Sequence, residues 1–391
     1  MKQNKHILFI SPQPFFQWRG SPIRVRFVLK SLSESGHTID LLTLPFGEDE
    51  QIPQVRIIRV ANFLGLKNIS IGPSAAKLFF DAVLLFKAFA LVRRRQYDVV
   101  HGIEEAGFIA VLLAKLFCIK AIFEKHSDPL SYRKGWIKNL LLTLYAFVEK
   151  LAIKQADLVI CTGPGLSEQV REMGTSSPVH TISDMASSVV EADPKKIAEI
   201  GGQLRRHPDE ILVTYVGSFA IYQGVDLMFA TIPKVCTSSD RVRFVIIGGN
   251  EDEIARRRRA LEQQGVADQV TFLGIIAPDT LPNYLAASDI FIAPRQSGTN
   301  TPLKILDYYK AGRAVVATDV PSNKLILNKT TALFAAPDAD SFAENILKLV
   351  ADGTLRERLG RNGRLLYEKE YNFSAFQKRL QNGYAELDRQ D

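Results

Sequence analysis

The chain has 391 residues, 46% hydrophobic and 23% charged, with 25 Gly and 18 Pro. That balance belongs to a globular protein and excludes disordered, collagen-like and coiled-coil chains. The net charge of +7 sits in the first half, where residues 1–190 hold 23 Lys and Arg against 16 Asp and Glu and the remainder holds 26 of each. An uneven charge of this kind suits nucleic acid, an anionic lipid surface or a phosphorylated substrate, and by itself does not choose among them.

Short β-branched runs alternate with longer periodic segments throughout. A strand at 6–10, a helix at 23–35 closed by Gly36 and a strand at 38–44 make a βαβ opening. Strands are expected next at 55–60, 98–101, 121–124, 158–161 and 179–182, with helices at 75–95, 105–117, 136–155 and 165–173. After an irregular stretch around 183–194 the pattern restarts, with strands at 211–216, 243–247, 270–273, 290–293 and 314–318. A final helical stretch, 373–387, carries Phe376, Leu380 and Tyr384 on one face. This order implies an α/β protein with two doubly wound, Rossmann-like domains, 1–190 and 191–371, followed by a helix in 372–391. Such sheets bind ligands beyond the carboxyl ends of their strands, so the function is expected between the two domains.

Cys118, Cys161 and Cys236 each lie in an apolar run without C-x-x-C spacing. They read as reduced core residues of a cytoplasmic protein without structural zinc. Before Pro12 and Pro14 only 7–10 is continuously apolar, too short for an export signal. The most apolar stretches, 78–92 and 106–123, are broken by Asp81, Lys87, Lys115 and Lys120, short of the ~20 residues of a membrane span. No spacing of His, Asp and Glu matches a divalent-ion site, so no metal is expected. The arginine run at 256–259, beside Glu251, Asp252, Glu253 and Glu262, reads as a solvated helix face, and no nucleic acid is expected there.

Two segments in the second domain suit an anion. Tyr215, Val216, Gly217 and Ser218, then Gln223, Gly224, Val225 and Asp226, read as strand, glycine turn, loop and helix. A glycine there lets the backbone approach a bound group, and the helix start offers unpaired N–H groups. Glycine turns of this kind are also common without any ligand. The second segment runs from Pro294 and Arg295 through Gly298, Thr299, Asn300, Thr301 and Pro302 to Lys304, Asp307 and Gly312. Thr301 is placed to cap a helix starting at Pro302, and Gly312 to close it. A lysine in a first turn is opposed by the helix dipole, which makes sense if Lys304 neutralises a bound anion. Asp307, three residues on, is placed to accept hydrogen bonds from ribose hydroxyls. The alternative is a solvated Lys–Asp pair on a surface helix.

These residues resemble glycosyltransferase family 4. The Val216-Gly217 turn leading to Gly224-Val225-Asp226 carries the likeness, as does the block from Pro294 to Thr318, and so do Asp98-Val99-Val100-His101 and Ala156-Asp157-Leu158-Val159-Ile160. The resemblance implies the GT-B fold, two Rossmann-like domains facing each other across a cleft. It implies a UDP- or GDP-sugar donor held by the second domain, an acceptor held mainly by the first, retention of anomeric configuration, and no cofactor or metal. The family's first-loop Arg and Lys are replaced here by Ser218 and Gln223, and its two glutamates by Thr299 and Asp307. Arg295, Lys304 and helix N–H groups are left to supply the charge. By the same resemblance Gly20, ahead of Ser21 and Pro22, belongs to a glycine loop facing sugar and acceptor, and His126 lies near the donor sugar. A lone histidine at a strand end is otherwise mostly structural. Glu104, Glu105, Glu124 and Asp128 are nearby, and the sequence does not say which faces the cleft.

The expected activity is therefore that of a retaining glycosyltransferase in surface or extracellular polysaccharide synthesis, with catalytic residues Lys304, His126 and Arg295. Gly217, Ser218, Gln223, Gly298, Thr299, Asn300, Thr301, Asp307 and Gly20 are the expected binding residues. The alternatives are a GT-B sugar-nucleotide epimerase and a catalytically silent partner protein. A Rossmann dehydrogenase is disfavoured, since no G-x-G-x-x-G follows the first strand. The helices at 75–95 and 133–154 are apolar, aromatic and basic. Either they are core helices with solvated charges, or they rest on the inner face of a membrane and serve a glycan or polyprenyl-phosphate-linked acceptor.

Overall fold

The computed structural model describes residues 4–17, 20–69, 74–128, 136–297 and 301–389, without the side chains of 136–141. The chain divides into two compact units, Met1–Asp184 with Phe373–Asp391, and Met185–Asn372.

Unit 1 runs β1 (His6–Ser11), α1 (Gly20–Glu34), β2 (Thr38–Thr43), β3 (Val55–Arg59), α2 (Ala75–Arg94), β4 (Val99–Ile103), α3 (Ala106–Phe117), β5 (Lys120–Lys125), α4 (Trp136–Ile153), β6 (Leu158–Cys161), α5 (Pro164–Glu172) and β7 (Val179–Thr181). The strands are parallel, in the order β3-β2-β1-β4-β5-β6-β7. Helices cover both faces, so β1 is apolar at every inner position, with Ile7, Leu8, Phe9 and Ile10 fully buried. In α2 the stripe Phe80, Leu84, Ala88 and Val92 packs inward, the four-residue spacing of one helix face. The opposite face of α2 is also apolar and exposed, Leu78 at 72% and Phe86 at 74%. The core-helix reading therefore holds for the inner stripe of α2. One expectation fails: Cys118 is exposed, because it ends α3 in a left-handed conformation (φ 54°) where the chain turns out of the core. Among the described residues no helix is long and apolar enough to cross a membrane.

Unit 2 runs α6 (Pro194–Leu204), β8 (Ile211–Val216), α7 (Val225–Ser238), β9 (Val242–Ile247), α8 (Glu251–Gln263), β10 (Val270–Gly274), α9 (Leu281–Ala287), β11 (Ile290–Ala293), α10 (Lys304–Ala311), β12 (Ala314–Thr318), α11 (Pro321–Lys324), β13 (Ala332–Ala335), α12 (Ala339–Ala351) and α13 (Gly353–Leu366). Its parallel sheet has the order β10-β9-β8-β11-β12-β13. The edge strand β13, only four residues long, is absent from the sequence-derived pattern. Residues 185–190 belong to this unit because α10 holds them: Lys310 Nζ donates to Ser188 O (3.0 Å) and Val190 O (2.5 Å), and Asp307 accepts from Ser187.

The helix expected to start at Pro302 under a Thr301 cap starts instead at Lys304. Ile305 N bonds Pro302 O and Leu306 N bonds Leu303 O, a tight entry turn, and no side chain caps the end. Three-residue bonds of this kind make a 3₁₀-type first turn, so the regular α-helix begins only at Lys304. Gly312 closes α10 in the left-handed region (φ 68°), as its sequence position implies. The last helix, α14 (Phe373–Leu387), returns to unit 1 and buries Phe376, Leu380 and Tyr384 there.

Candidate functional site

In unit 2 the strand order reverses between β8 and β11, the place where doubly wound sheets open a crevice at the carboxyl ends. The loop after β8 and the segment after β11 are stitched together at that point. A Cβ on Gly224 (φ 72°) would lie 1.7 Å from Pro294 O, so only glycine lets α7 begin against the 294–297 segment. Gln296 N donates to Tyr222 O (3.2 Å), and the Arg295 guanidinium lies 5.5 Å above the Tyr222 ring. Helix α10 is locked to both strands by Tyr308, which accepts from Val216 N (3.1 Å), donates to Ile292 O (3.3 Å) and stacks on Phe291.

These anchors carry Lys304 into the crevice wall. Its Nζ lies 4.2 Å from the centre of the Tyr215 ring and 2.9 Å from where a Cβ on Gly217 would stand. The amine is buried and, among the described residues, forms no hydrogen bond or ion pair. Burial, and then the Arg295 charge, pull its pKa from 10.5 down to about 7. A buried ammonium without a hydrogen-bond partner is unfavourable, and an anion is the kind of group that would satisfy it. Gln223 Oε1 is a second buried polar atom without a hydrogen-bond partner among the described residues.

Thus Gly217, Arg295 and Lys304 come together, with Gln223 on the adjoining loop. Ser218 is exposed and contributes its carbonyl to Tyr215 Oη (2.9 Å). The Asp307 carboxylate is committed in part elsewhere: Oδ1 accepts from Ser187 N (2.7 Å) and Ser187 Oγ (2.9 Å), and burial raises its pKa to about 6. Gly298, Thr299 and Asn300 lie outside the described residues. Tyr215 and Tyr222, the aromatic supports of the two cations, were not singled out from the sequence; two tyrosines flanking a glycine turn were the available signal.

In unit 1 the reversal lies between β1 and β4. Gly20 opens α1, which follows β1, and is exposed. Glu104 follows β4 in a left-handed conformation (φ 52°) and accepts from the backbone N–H of His126, which follows β5 (2.9 Å). Burial raises the Glu104 pKa. His126 Nε2 meets Glu124 Oε1 at 3.0 Å. Glu124, left undecided by sequence, is fully buried and held below the usual carboxylate range: burial opposes this, but Arg24 and the two histidines His101 and His126 outweigh it. Among the described residues no group of three or more His, Cys, Asp or Glu side chains is placed to hold a metal ion.

Each unit is thus a doubly wound α/β domain, and unit 2 places Lys304 and Arg295 at its switch point. Residues 18–184 match the family Glycosyltransferase Family 4, and residues 210–352 match Glycosyl transferases group 1. Together these spans take in well over half of the chain, which belongs to this glycosyltransferase family. The phosphatidylinositol N-acetylglucosaminyltransferase gpi3 subunit of Schizosaccharomyces pombe is 23% identical over 70% of this chain and 57% of its own length. The chain therefore spans less than two thirds of that relative. Sucrose-phosphate synthase from Thermosynechococcus elongatus superposes with a TM-score of 0.80 at 23% identity, covering 99% of this chain and all of that one. Anabaena Alr3699/HepE, solved in complex with UDP and glucose, superposes with a TM-score of 0.75 at 14% identity over 98% of this chain and all of that one. The fold is GT-B.

Proposed function

We propose that the protein is a retaining glycosyltransferase that moves a sugar from a UDP- or GDP-sugar to a glycan or polyprenyl-phosphate-linked acceptor in surface or extracellular polysaccharide synthesis. The observation that carries this reading is the buried, unpartnered Lys304 amine beside Arg295 at the β8/β11 switch point. As the sugar–phosphate bond breaks, negative charge grows on the departing diphosphate. Arg295 and the Lys304 amine, protonated as the diphosphate binds, meet it there from fixed positions, and removing one donor of this kind typically costs about 3 kcal/mol, or ~100-fold in rate. His126 serves the sugar, its imidazole accepting from a hydroxyl. The UDP and glucose bound to HepE support a nucleotide-sugar donor, and the phosphatidylinositol acceptor in the name of the fission-yeast relative supports a lipid-borne one.

The lipid side is supported by the outer face of unit 1. Leu78 and Phe86 on α2, and Leu144 and Phe147 on α4, are at least 59% exposed, and Arg93 and Arg94 end α2. Apolar side chains flanked by arginines suit the surface of an anionic membrane, on the cytoplasmic side where nucleotide sugars are made.

The test is nucleotide release from a panel of UDP- and GDP-sugars, with and without lipid-linked glycan acceptors. Acceptor-dependent release of a nucleoside diphosphate supports transfer. Interconversion without an acceptor replaces the reading with epimerase, and binding without turnover replaces it with a silent partner. The replacement of charged family residues by Ser218, Gln223 and Thr299 is what motivates that last outcome.

A further inference from the structure

We propose that Glu124 is a positioning residue that holds His126 in its Nε2–H form and turns Nδ1 outward as a hydrogen-bond acceptor. The inference rests on the reading of His126 as a sugar contact and adds the machinery behind it. Glu124 lies on β5 with no exposed surface. Its Oε1 faces Arg24 Nε at 2.5 Å and His126 Nε2 at 3.0 Å, and its Oε2 faces His101 Nε2 at 2.7 Å. An ionised carboxylate only accepts, so all three nitrogens donate. That assignment propagates along the chain of contacts. His101 carries its proton on Nε2, its Nδ1 is an acceptor, and Tyr384 Oη donates into it at 2.7 Å. His101 is neutral because it is fully enclosed and burial lowers its pKa.

The same logic applied to His126 leaves one free position. Its Nε2–H is taken by Glu124 and its backbone N–H by Glu104, and Nδ1 forms no hydrogen bond among the described residues. A carboxylate behind an imidazole selects tautomer and ring orientation, and the far nitrogen does the work. Glu124 is in turn kept ionised by Arg24, which also binds Ile182 O and Asp184 Oδ1, each at 2.8 Å, and lies 5.4 Å from the Phe376 ring. Phe376 and Tyr384 both belong to α14, so the last helix of the chain closes the network around a histidine far earlier in the sequence.

The experiment uses the full chain, labelled with ¹⁵N-histidine, together with turnover. In the free protein His126 and His101 should both carry their proton on Nε2. Glu124→Leu should release His126 into a mixture of tautomers and lower kcat about tenfold, with the donor KM within twofold. In a His126→Ala background the same change should cost nothing further. Glu124→Gln should rescue kcat to within threefold. Its carbonyl would take Arg24 and His126, forcing its NH₂ onto His101 and switching His101 alone to the Nδ1–H form. The proposal is overturned if His101 stays Nε2–H in Glu124→Gln, if His126 keeps one tautomer in Glu124→Leu, or if Glu124→Leu lowers kcat equally in both backgrounds. The Glu124→Gln spectrum decides the matter even where Glu124→Leu does not fold. If no sugar donor turns over, the transferase reading fails, while the tautomers still decide this one.

Discussion

Raising the pH from 7 to 9 should weaken nucleotide-sugar binding about 50-fold, because Lys304 must gain a proton when the diphosphate arrives. In the free protein burial, followed by the Arg295 charge, brings the ammonium pKa down to about 7. A phosphate oxygen against Nζ replaces the lost hydration and keeps the amine charged in the complex to much higher pH. The sign follows: below the free-state value both states carry the proton and affinity is level. Above it the free protein sheds the proton, and affinity falls about tenfold, or ~1.4 kcal/mol, per pH unit until the bound amine also titrates. The assay is titration calorimetry with a UDP- or GDP-sugar, whose diphosphate does not titrate in this window, in two buffers of different ionisation enthalpy. Proton uptake should be about one half at pH 7 and near one at pH 9. Lys304→Met should bind ~10- to 100-fold more weakly at pH 7, the worth of a charged hydrogen bond, with a flat pH profile. A flat profile in the unmodified protein, or the same slope in Lys304→Met, would refute the argument.

The same shift has the opposite consequence for stability. The folded pKa of Lys304 lies below the ordinary lysine value of 10.5, so the unfolded chain binds the extra proton between about pH 7 and 10.5. The unmodified protein therefore gains stability from this group as pH rises through that window, and Lys304→Met, free of the penalty, should be more stable without ligand by about 2–4 kcal/mol at pH 7. Denaturant unfolding at pH 7 and 9 checks this, and the advantage of the variant should shrink at the higher pH. Gly224→Ala drives a methyl group onto Pro294 O from a left-handed backbone and should cost at least about 2 kcal/mol along with donor binding; unchanged binding would show that the two loops are not coupled. Paired replacements Phe86→Asp and Phe147→Asp should abolish flotation with anionic vesicles at low salt while leaving the melting temperature within a degree or two, since both side chains are largely exposed.

Much of the fold was legible because its signals are local. The β-branched runs place β1, β4, β8 and β11 to within a residue or two, and the C-terminal helix Phe373–Leu387 appears in the sequence with its apolar face intact. Gly312 ends α10 where a left-handed residue was expected. The errors are physical. Cys118 sits in an apolar run, yet it occupies the turn that ends α3, and a helix end faces outward whatever its neighbours are. Thr301 has the residue type of a cap, but Pro302 and Leu303 tighten the entry and move the start of α10 to Lys304. The short β13 escaped notice because four residues at a sheet edge carry too little pattern.

The site divides along the same line. Periodicity, glycine placement and a lysine in a first turn are properties of neighbouring residues, so the α/β class, the β8–Gly217 turn and Lys304 as a candidate anion ligand could be read from the chain order alone. Whether Lys304 finds a partner depends on how the end of β8 and the segment after β11 close around it, and whether Asp307 is free depends on Ser187, 120 residues away. The Tyr384–His101–Glu124–Arg24 network joins residues up to 283 positions apart in one contact. Hydrogen bonds of that reach leave no local periodicity, since the partners are chosen by how helices and sheet pack. For that reason only the tertiary structure shows Arg24, His101 and Tyr384 gathered around Glu124.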